Sequence, residues 1–409
     1  MTPALLVINL QSPAYPHTMH TCTIFALISL CALSLTARAI PLVVRDSPVT
    51  LPFARRLNFT GSATLLEIDQ ARAKALKARS QSQGKFDKSA VISVPATNQA
   101  VDYTVSVGVG TPPTQYSLLM DTGSSNTWLG AGQSYVVTSS SHDTGEAVDV
   151  FYGSGFFFGE EYLDTVTLAS GLVIENQSIG VSSFAEGFDG VDGILGIGPQ
   201  DLTCGTTSGG ECIPTVVDNA FLQGFINEEV VGISFEPTTS LSITNGELTF
   251  GGTDSSKFTG SLNFVPITTT SPASDTAGIT DTGTTLVLLA SDALARYQSA
   301  TGAVADSNTG LLKITSAQFA NLQSLFFNIG DVTYELTSNA QLWPRALNTA
   351  IGGTADNIYL IVGDLGSDSG EGLDFINGMT FLERFYFVYD VTNSQVGFAT
   401  TAFTDATTN

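Results

Sequence analysis

Two stretches of the sequence share one construction. Residues 118–128 read LLMDTGSSNTW, and residues 279–286 read ITDTGTTL. In both, apolar residues typical of a strand lead into an aspartate, a threonine and a glycine, and hydroxyl-bearing residues follow. A third DTG, at residues 143–145, has no apolar residues before it and glutamate after it, so it lacks the longer pattern.

A pair of such turns predicts a specific chemistry. If the turns face one another, the carboxylates of Asp121 and Asp281 can lie ~3 Å apart and share one proton, because both cannot be ionised at that distance. One carboxylate then acts as general base on a water molecule while the other, protonated, holds the substrate carbonyl. This pair would hydrolyse a peptide bond with no metal, no cofactor and no covalent intermediate.

The residues that follow each aspartate fit this role. Gly123 and Gly283 let the backbone come close to the opposite turn. Ser124 and Thr284 place hydroxyl groups within reach of the carboxylates. The threonines next to the aspartates complete the two predicted supporting turns, which are Thr122, Gly123, Ser124, Thr282, Gly283 and Thr284.

The sequence lacks the residues that other classes of hydrolase need for nucleophilic or metal catalysis. Only His142 remains for a nucleophilic triad in the acidic body of the chain, and no G-x-S-x-G, H-E-x-x-H or phosphate-loop motif accompanies it. Cys204 and Cys212, in the loop CGTTSGGEC, have no nearby histidines and make a poor zinc site. In a secreted chain they predict a local disulfide.

The elements that must position these groups are strands. The 409 residues, 43% of them apolar, are enough for a large core and two lobes. Short runs rich in Ser, Thr, Gly and Val predict an all-β protein.

The N-terminal residues predict secretion. Residues 23–36, TIFALISLCALSLT, are too short to span a bilayer, and ARA at Ala37–Ala39 fits a cleavage site, so residues 1–39 are interpreted as a signal peptide. Met19 is an alternative start, which would make residues 1–18 an upstream extension. The alternative interpretation of residues 23–36 is a buried core helix. Asn58 and Asn176 begin N-glycosylation motifs, NFT and NQS, and are predicted to lie at the surface.

Charge divides the rest of the chain into two parts. Residues 40–88 contain nine Lys and Arg against four Asp and Glu, whereas residues 89–409 contain five against 34. The basic part, with helical composition over Ile68–Gln81, is interpreted as a propeptide that binds the acidic body and leaves in acid. Lys74, Lys77 and Lys85 are the candidates for blocking the aspartate pair, and cleavage is expected near Lys88–Val94. The alternative is a disordered basic tail; the acidic body argues against nucleic acid as a partner.

Longer motifs identify a family. VDGILGIGP, NGELTFGGTDSSKFTGSLNFVPI and YLIVGDLGSDSGEGLDFINGMTFLERFYFVYD resemble the pepsin family of aspartic proteases, and within it the secreted fungal polyporopepsin type. The resemblance runs from about residue 92 to the C-terminus. It implies a monomer with two β-rich lobes, residues 89–260 and 261–409, and a cleft for peptide and protein substrates between them.

The resemblance also implies a flap over the cleft. FYGSG at 151–155 matches the family's flap hairpin, so Tyr152, Gly153 and Ser154 would cover the substrate, and Tyr152 would hydrogen-bond to Trp128. Ser154 stands where some fungal relatives have an aspartate that admits lysine, which predicts a preference for bulky apolar residues. The alternative for Tyr152 and Trp128 is plain core packing. Asn377 replaces a leucine usual for the family beneath the second aspartate.

One family element is missing from the second lobe. A full hairpin precedes Asp121, but only TTTSPASDTAGIT precedes Asp281, where the family has roughly twenty more residues. We expect this gap to impair the second lobe. Two other functions therefore stay open: a protease-like fold without activity that binds peptides, and a β-rich adhesin or wall protein.

Overall fold

The computed structural model describes residues 7–10, 48–56, 63–81, 102–153, 155–267 and 277–408. Strands predominate in these residues, which confirms the predicted β-rich fold. No helix in the described ranges has both the length and the apolar character needed to cross a bilayer.

The segment before the two lobes supplies β1 (Val7–Leu10), β2 (Val49–Arg56) and α1 (Leu65–Gln81). The helix contains the whole of the predicted stretch 68–81. It begins with a capping box, in which the backbone N–H of Thr64 donates to the carboxylate of Glu67 at 2.7 Å and the N–H of Glu67 donates to Oγ1 of Thr64 at 3.3 Å. β2 was not predicted from the sequence. Its residues Val49, Leu51 and Phe53 are buried, and the two residues between them, Thr50 and Pro52, are exposed.

The first lobe is built from strands and one short helix. Its elements are β3 (Asp102–Val109), β4 (Thr114–Asp121), β5 (Trp128–Leu129), β6 (His142–Phe151), β7 (Phe156–Ala169), β8 (Leu172–Glu186), β9 (Gly193–Gly196), α2 (Val216–Leu222), β10 (Val230–Ser234), β11 (Ser242–Phe250) and β12 (Thr259–Pro266).

The second lobe has shorter strands and more helices. Its elements are β13 (Gly278–Thr280), β14 (Val287–Leu289), α3 (Ser291–Thr301), β15 (Val304–Ala305), β16 (Leu312–Ile314), α4 (Ser316–Phe319), β17 (Leu325–Ile329), β18 (Val332–Leu336), β19 (Ile358–Leu360), β20 (Val362–Asp364), β21 (Phe375–Asn377), α5 (Met379–Leu382), β22 (Phe385–Asp390) and β23 (Gln395–Thr400). The predicted lobe boundary at 260/261 falls inside β12, and the division into these domains stays a prediction.

The largest sheet runs through both lobes and includes β2. Its order is β12-β23-β22-β10-β11-β2-β3-β4-β9-β5-β8-β7-β6. β2 pairs antiparallel with β11 on one side and with β3 on the other. β2 is therefore a central strand, and the ring of Phe53 meets Tyr103 and Phe235 edge-on at centroid distances of 5.2 and 5.0 Å.

Both aspartate turns follow strands that have a parallel neighbour. β4 runs parallel to β9, which places Asp121 opposite Gly196. β13 runs parallel to β21, which places Thr280, the residue before Asp281, opposite Asn377. The same local arrangement thus occurs once in each lobe.

The approaches to the two turns differ in length. β3 and β4 form a hairpin of eight residues each before the first turn, whereas β13 has three residues before the second. Residues 268–276, where the sequence analysis places the missing hairpin, lie outside the described residues.

Candidate active site

The first aspartate lies at the end of a buried strand. Leu118, Leu119 and Met120 are each at most 2% exposed and carry Asp121, which is fully buried, into the turn. The backbone N–H of Gly123 donates to Oδ1 of Asp121 at 2.8 Å, and the hydroxyl of Ser124 donates to Oδ2 at 2.5 Å. Both carboxylate oxygens are thus held within their own turn.

The second aspartate has the same partners. The N–H of Gly283 donates to Oδ1 of Asp281 at 3.1 Å, and the hydroxyl of Thr284 donates to Oδ2 at 2.6 Å. Asp281 is also fully buried. The hydroxyl partners predicted from the sequence are therefore in contact with both carboxylates.

The two turns are joined by the threonines beside the aspartates. The backbone N–H of Thr122 donates to Oγ1 of Thr282 at 3.0 Å, and the N–H of Thr282 donates to Oγ1 of Thr122 at 3.0 Å. The hydroxyl of Thr282 also donates to the carbonyl of Met120 at 3.2 Å. Sequence reasoning placed these threonines in the supporting turns but missed that they connect the lobes; their matching positions in the two motifs were the available signal.

A residue of α1 occupies the space between the aspartates. Nη2 of Arg72 donates to Oδ1 of Asp121 at 2.5 Å and to Oδ1 of Asp281 at 2.8 Å, and Nε donates to Oδ2 of Asp281 at 2.5 Å. The side chain of Arg72 is 5% exposed. One guanidinium therefore bridges both carboxylates of the predicted catalytic pair.

The contact of Arg72 with the aspartates shifts the pKa values of Arg72 and Asp281. Burial alone would lower the pKa of Arg72, but attraction to Asp121 and Asp281 outweighs burial and raises it. Burial alone would raise the pKa of Asp281, but the charge and hydrogen bonds of Arg72, with those of Thr284 and Gly283, lower it below 3.8. Arg72 and Asp281 thus each favour the charged form of the other.

The structure corrects the lysine candidates for this contact. Lys74 is exposed, and Nζ of Lys77 donates to the carboxylate of Glu371 at 2.7 Å, away from the aspartates. Lys85 lies outside the described residues. The sequence held no signal that singles out Arg72, because Lys74 also has an alanine on each side.

A second charged residue of α1 is anchored to the second lobe. Asp69 is 1% exposed and its carboxylate accepts from the backbone N–H groups of Thr285 and Leu286 at 3.1 and 2.8 Å. Burial raises the pKa of Asp69 to about 7 despite these two hydrogen bonds. The side-chain amide of Gln70 donates to the carbonyl of Asp364 at 2.9 Å.

Close packing of the glycines explains why the turns need them. A Cβ on Gly123 would lie 2.7 Å from both Nη2 of Arg72 and Oδ1 of Asp281, and a Cβ on Gly283 would overlap the guanidinium. A side chain at either glycine would therefore collide with Arg72.

The flap lies on the helix. A Cβ on Gly153 would overlap the backbone of Arg72, so α1 passes directly beneath the flap tip. Tyr152 and Trp128 are 8% and 0% exposed and pack with two phenylalanines, Phe157 and Phe188. The indole of Trp128 stacks on Phe157 at a centroid distance of 4.1 Å.

One predicted contact of the flap is absent. The rings of Tyr152 and Trp128 have centroids 6.4 Å apart, and Nε1 of Trp128 makes no hydrogen bond within the described residues. The predicted Tyr152–Trp128 hydrogen bond is therefore not formed while the helix occupies the cleft. Ser154 lies outside the described residues.

The loops under the two aspartates differ in polarity. Leu195 of β9 and Asn377 of β21 occupy matching places, and both are fully buried. Neither Oδ1 nor Nδ2 of Asn377 has a hydrogen-bond partner in the described residues. The replacement noted in the sequence thus leaves two unpaired polar atoms beneath Asp281.

The remaining predicted positions lie away from the cleft. Cys204 and Cys212 form a disulfide. Asn176 is exposed, as a glycosylation acceptor must be, and Asn58 lies outside the described residues. Asp143 and His142 are exposed residues of β6, and the carboxylate of Asp143 accepts from the N–H of Gly145. The third DTG therefore takes no part in the site.

Comparison with known proteins agrees with this geometry. The family model "Eukaryotic aspartyl protease" matches residues 102–401. Polyporopepsin from Irpex lacteus is 66% identical over 338 residues, covering 78% of this chain and 99% of that protein. Rhizopuspepsin-1 from Rhizopus niveus is 32% identical over 379 residues, covering 83% of this chain and 94% of that protein.

A solved structure supports the same family, and the length of one alignment bears on the missing hairpin. The crystal structure of an aspartic proteinase from Irpex lacteus matches with a TM-score of 0.75 and 57% identity, covering 89% of this chain and all of that one. The polyporopepsin alignment spans 338 positions, whereas 78% of this 409-residue chain is about 319 residues, so the matched part of this chain is shorter by about 19. That deficit agrees in size with the hairpin missing before Asp281. The chain belongs to the pepsin family of aspartic proteases, which are endopeptidases of the aspartic type.

Proposed function

We propose that this chain is the zymogen of a secreted acid endopeptidase and that α1 keeps it inactive. The observation that carries the proposal is the contact of one guanidinium, that of Arg72, with both Asp121 and Asp281. In this proposal residues 1–39 are the leader, residues 40–88 the propeptide, and the two lobes follow.

Acid would release the helix. The pKa of Asp281 is lowered below 3.8 while α1 is docked, so its contribution to docking is full above that value and is lost as the pH falls through the lowered pKa. The surface ion pair of Lys77 with Glu371 is a second charged contact between α1 and the second lobe. Cleavage near Lys88–Val94 would then make the change permanent.

The freed site supports peptide-bond hydrolysis. Without Arg72, the two carboxylates share one proton, and one of them activates a water while the other donates to the carbonyl oxygen of the substrate. The buried aromatic side chains of Tyr152, Trp128, Phe157 and Phe188 would line an apolar pocket beneath the flap. We therefore expect bulky apolar residues at the cut, with a monomeric enzyme acting on peptides and proteins rather than nucleic acids.

Two features of the second lobe favour a second function, that of an inactive protein that binds peptides. The second aspartate is reached through a three-residue strand and stands above the unpaired amide of Asn377. If these features misplace Asp281 after α1 leaves, the chain is an inactive protease-like protein that binds peptides.

The test measures activity and helix release separately. Acid hydrolysis of casein, with and without pepstatin, distinguishes an enzyme from a peptide-binding protein. Release of α1 is followed through cleavage of the propeptide by an added neutral protease, which does not depend on the chain's own activity.

Three variants make the second measurement specific. Arg72→Ala should speed propeptide cleavage by at least about tenfold, because it leaves two buried carboxylates without their partner. Arg72→Lys should have a smaller effect, and Lys74→Ala, at an exposed position of the same helix, should behave like the parent. Equal cleavage of Arg72→Ala and Lys74→Ala would contradict the role of Arg72.

A further inference from the structure

The two lobes contain matching hairpins at their outer side. β7 and β8 are joined by two residues, 170 and 171, and β17 and β18 are joined by two residues, 330 and 331. Counting back from these turns, Val166 and Thr167 of the first lobe correspond to Phe326 and Phe327 of the second.

The first hairpin has a strand beside it. Val166 pairs with Val109 and Thr167 pairs with Gly108, both in β3, which is the first strand of the hairpin that leads to Asp121. The described residues of the second lobe contain no corresponding hairpin before Asp281, so no such strand pairs with β17 there.

That edge is occupied by another part of the chain. The backbone of β1 runs parallel to β17, with Val7 opposite Phe326, Ile8 opposite Phe327 and Leu10 opposite Ile329. The contact therefore covers the two positions that β3 covers in the first lobe. The direction differs, because β3 is antiparallel to β7.

The edge is built to accept a strand. Leu325, Phe327 and Ile329 are at most 7% exposed and face the core, while Phe326 and Asn328 are partly exposed, so β17 has the alternation of a strand with one covered face. An open edge of this kind offers a row of unpaired N–H and C=O groups to any extended segment.

We infer that the outer edge of β17 is a strand-binding site and that residues 7–10 fill it in place of the missing hairpin. The site belongs to the precursor, because cleavage after Ala39 would remove β1 with the leader. The inference does not depend on peptide hydrolysis, since it concerns strand pairing at the side of the second lobe.

The test uses hydrogen exchange of the full-length chain. The double variant Ile8→Pro, Asn9→Pro removes two backbone donors from β1. It should speed exchange of those amides at 326–329 that point toward β1 rather than β18 by roughly tenfold or more. The control Ser12→Pro places a proline two residues beyond the strand and should leave this exchange unchanged.

A second experiment, in which a peptide is added, covers the case that the double variant loses structure beyond β17. A synthetic peptide of residues 4–13, added to the double variant, should restore slow exchange at 326–329, whereas the same peptide with proline at positions 8 and 9 should not. Unchanged exchange in the double variant, or widespread loss of structure that the peptide does not reverse, would overturn the inference.

Discussion

The two lobes hold nearly identical aspartate turns on unequal supports. In each turn the carboxylate accepts from a glycine N–H and from a hydroxyl two residues after the threonine, with distances of 2.5–2.8 Å around Asp121 and 2.6–3.1 Å around Asp281. The first turn follows an eight-residue strand, whereas the second follows a strand of three residues.

The difference shows what sets the local geometry. The turn itself is fixed by bonds within the motif and by the exchange between Thr122 and Thr282, none of which needs the missing hairpin. What the hairpin would add is a paired sheet edge. Arg72 also holds the two turns together in this form, so the weakness of the second lobe should appear once α1 leaves.

The largest effect should come from the aspartates themselves. Asp121→Asn and Asp281→Asn should each lower pepstatin-sensitive hydrolysis by about 10²–10⁴-fold, because each removes one half of the acid–base pair. Activity is measured on casein at acid pH with the purified variants. Asp143→Asn, in the exposed third DTG, is the matched control and should leave hydrolysis unchanged. If Asp121→Asn or Asp281→Asn kept most of the activity, a catalytic pair with one aspartate from each lobe would be contradicted.

Restoring the hairpin should have the next largest effect. A hairpin taken from the Irpex lacteus relative and inserted between Ser274 and Ala277 should raise specific activity by about 10²-fold, because a misplacement of about 1 Å in a catalytic group can cost that much. The readout is acid proteolysis per folded molecule. A Gly/Ser insert of equal length is the control, and equal activity of the unmodified chain would mean that the short approach is tolerated.

The third prediction compares the loops beneath the aspartates. Asn377→Leu should raise the free energy of unfolding by about 1–3 kcal/mol, because it removes two buried polar atoms without partners. The reverse change in the first lobe, Leu195→Asn, should lower it by at least a similar amount. Urea unfolding measures both, and destabilisation by Asn377→Leu would show that this amide has a structural role.

The smallest effect concerns the anchor of α1 on the second lobe. Since docking raises the pKa of Asp69 to about 7, protonation favours the docked helix below that pH, and this contribution is lost as the pH rises through it. Cleavage of the propeptide by an added protease should therefore become up to about tenfold faster between about pH 6 and pH 8. Asp69→Asn should flatten this dependence, and Glu67→Gln, at an exposed carboxylate of the same helix, should retain it. A profile that stays unchanged in Asp69→Asn would assign the pH dependence to another group.

Most of the site was predictable because it is local. A motif of four residues contains the aspartate, the glycine N–H and the hydroxyl that bind it, so spacing alone predicted Asp121, Asp281 and their partners. The β-rich fold followed from composition in the same way.

The missed features depend on distant contacts. Nothing in the propeptide sequence says which basic residue reaches the aspartates, since Lys74 and Arg72 differ only in the helix face that meets the cleft. β2 carries a proline and two arginines, which hid its alternation, although Arg55 is fully buried within 3.5 Å of Glu383. The Tyr152–Trp128 hydrogen bond was predicted from the family resemblance alone, and the structure does not form it.

If the propeptide is removed as proposed, the central place of β2 has a consequence for the lifetime of the protein that remains. Removal of this strand opens a slot between β11 and β3, in the middle of a sheet that spans both lobes. Unless another segment pairs with β11 and β3, these two strands have open edges that can associate with other chains. The native form reached in this way is protected by a barrier rather than by an equilibrium, because the template that assembled the sheet has been destroyed. We expect such a protein to lose its fold once and not to regain it.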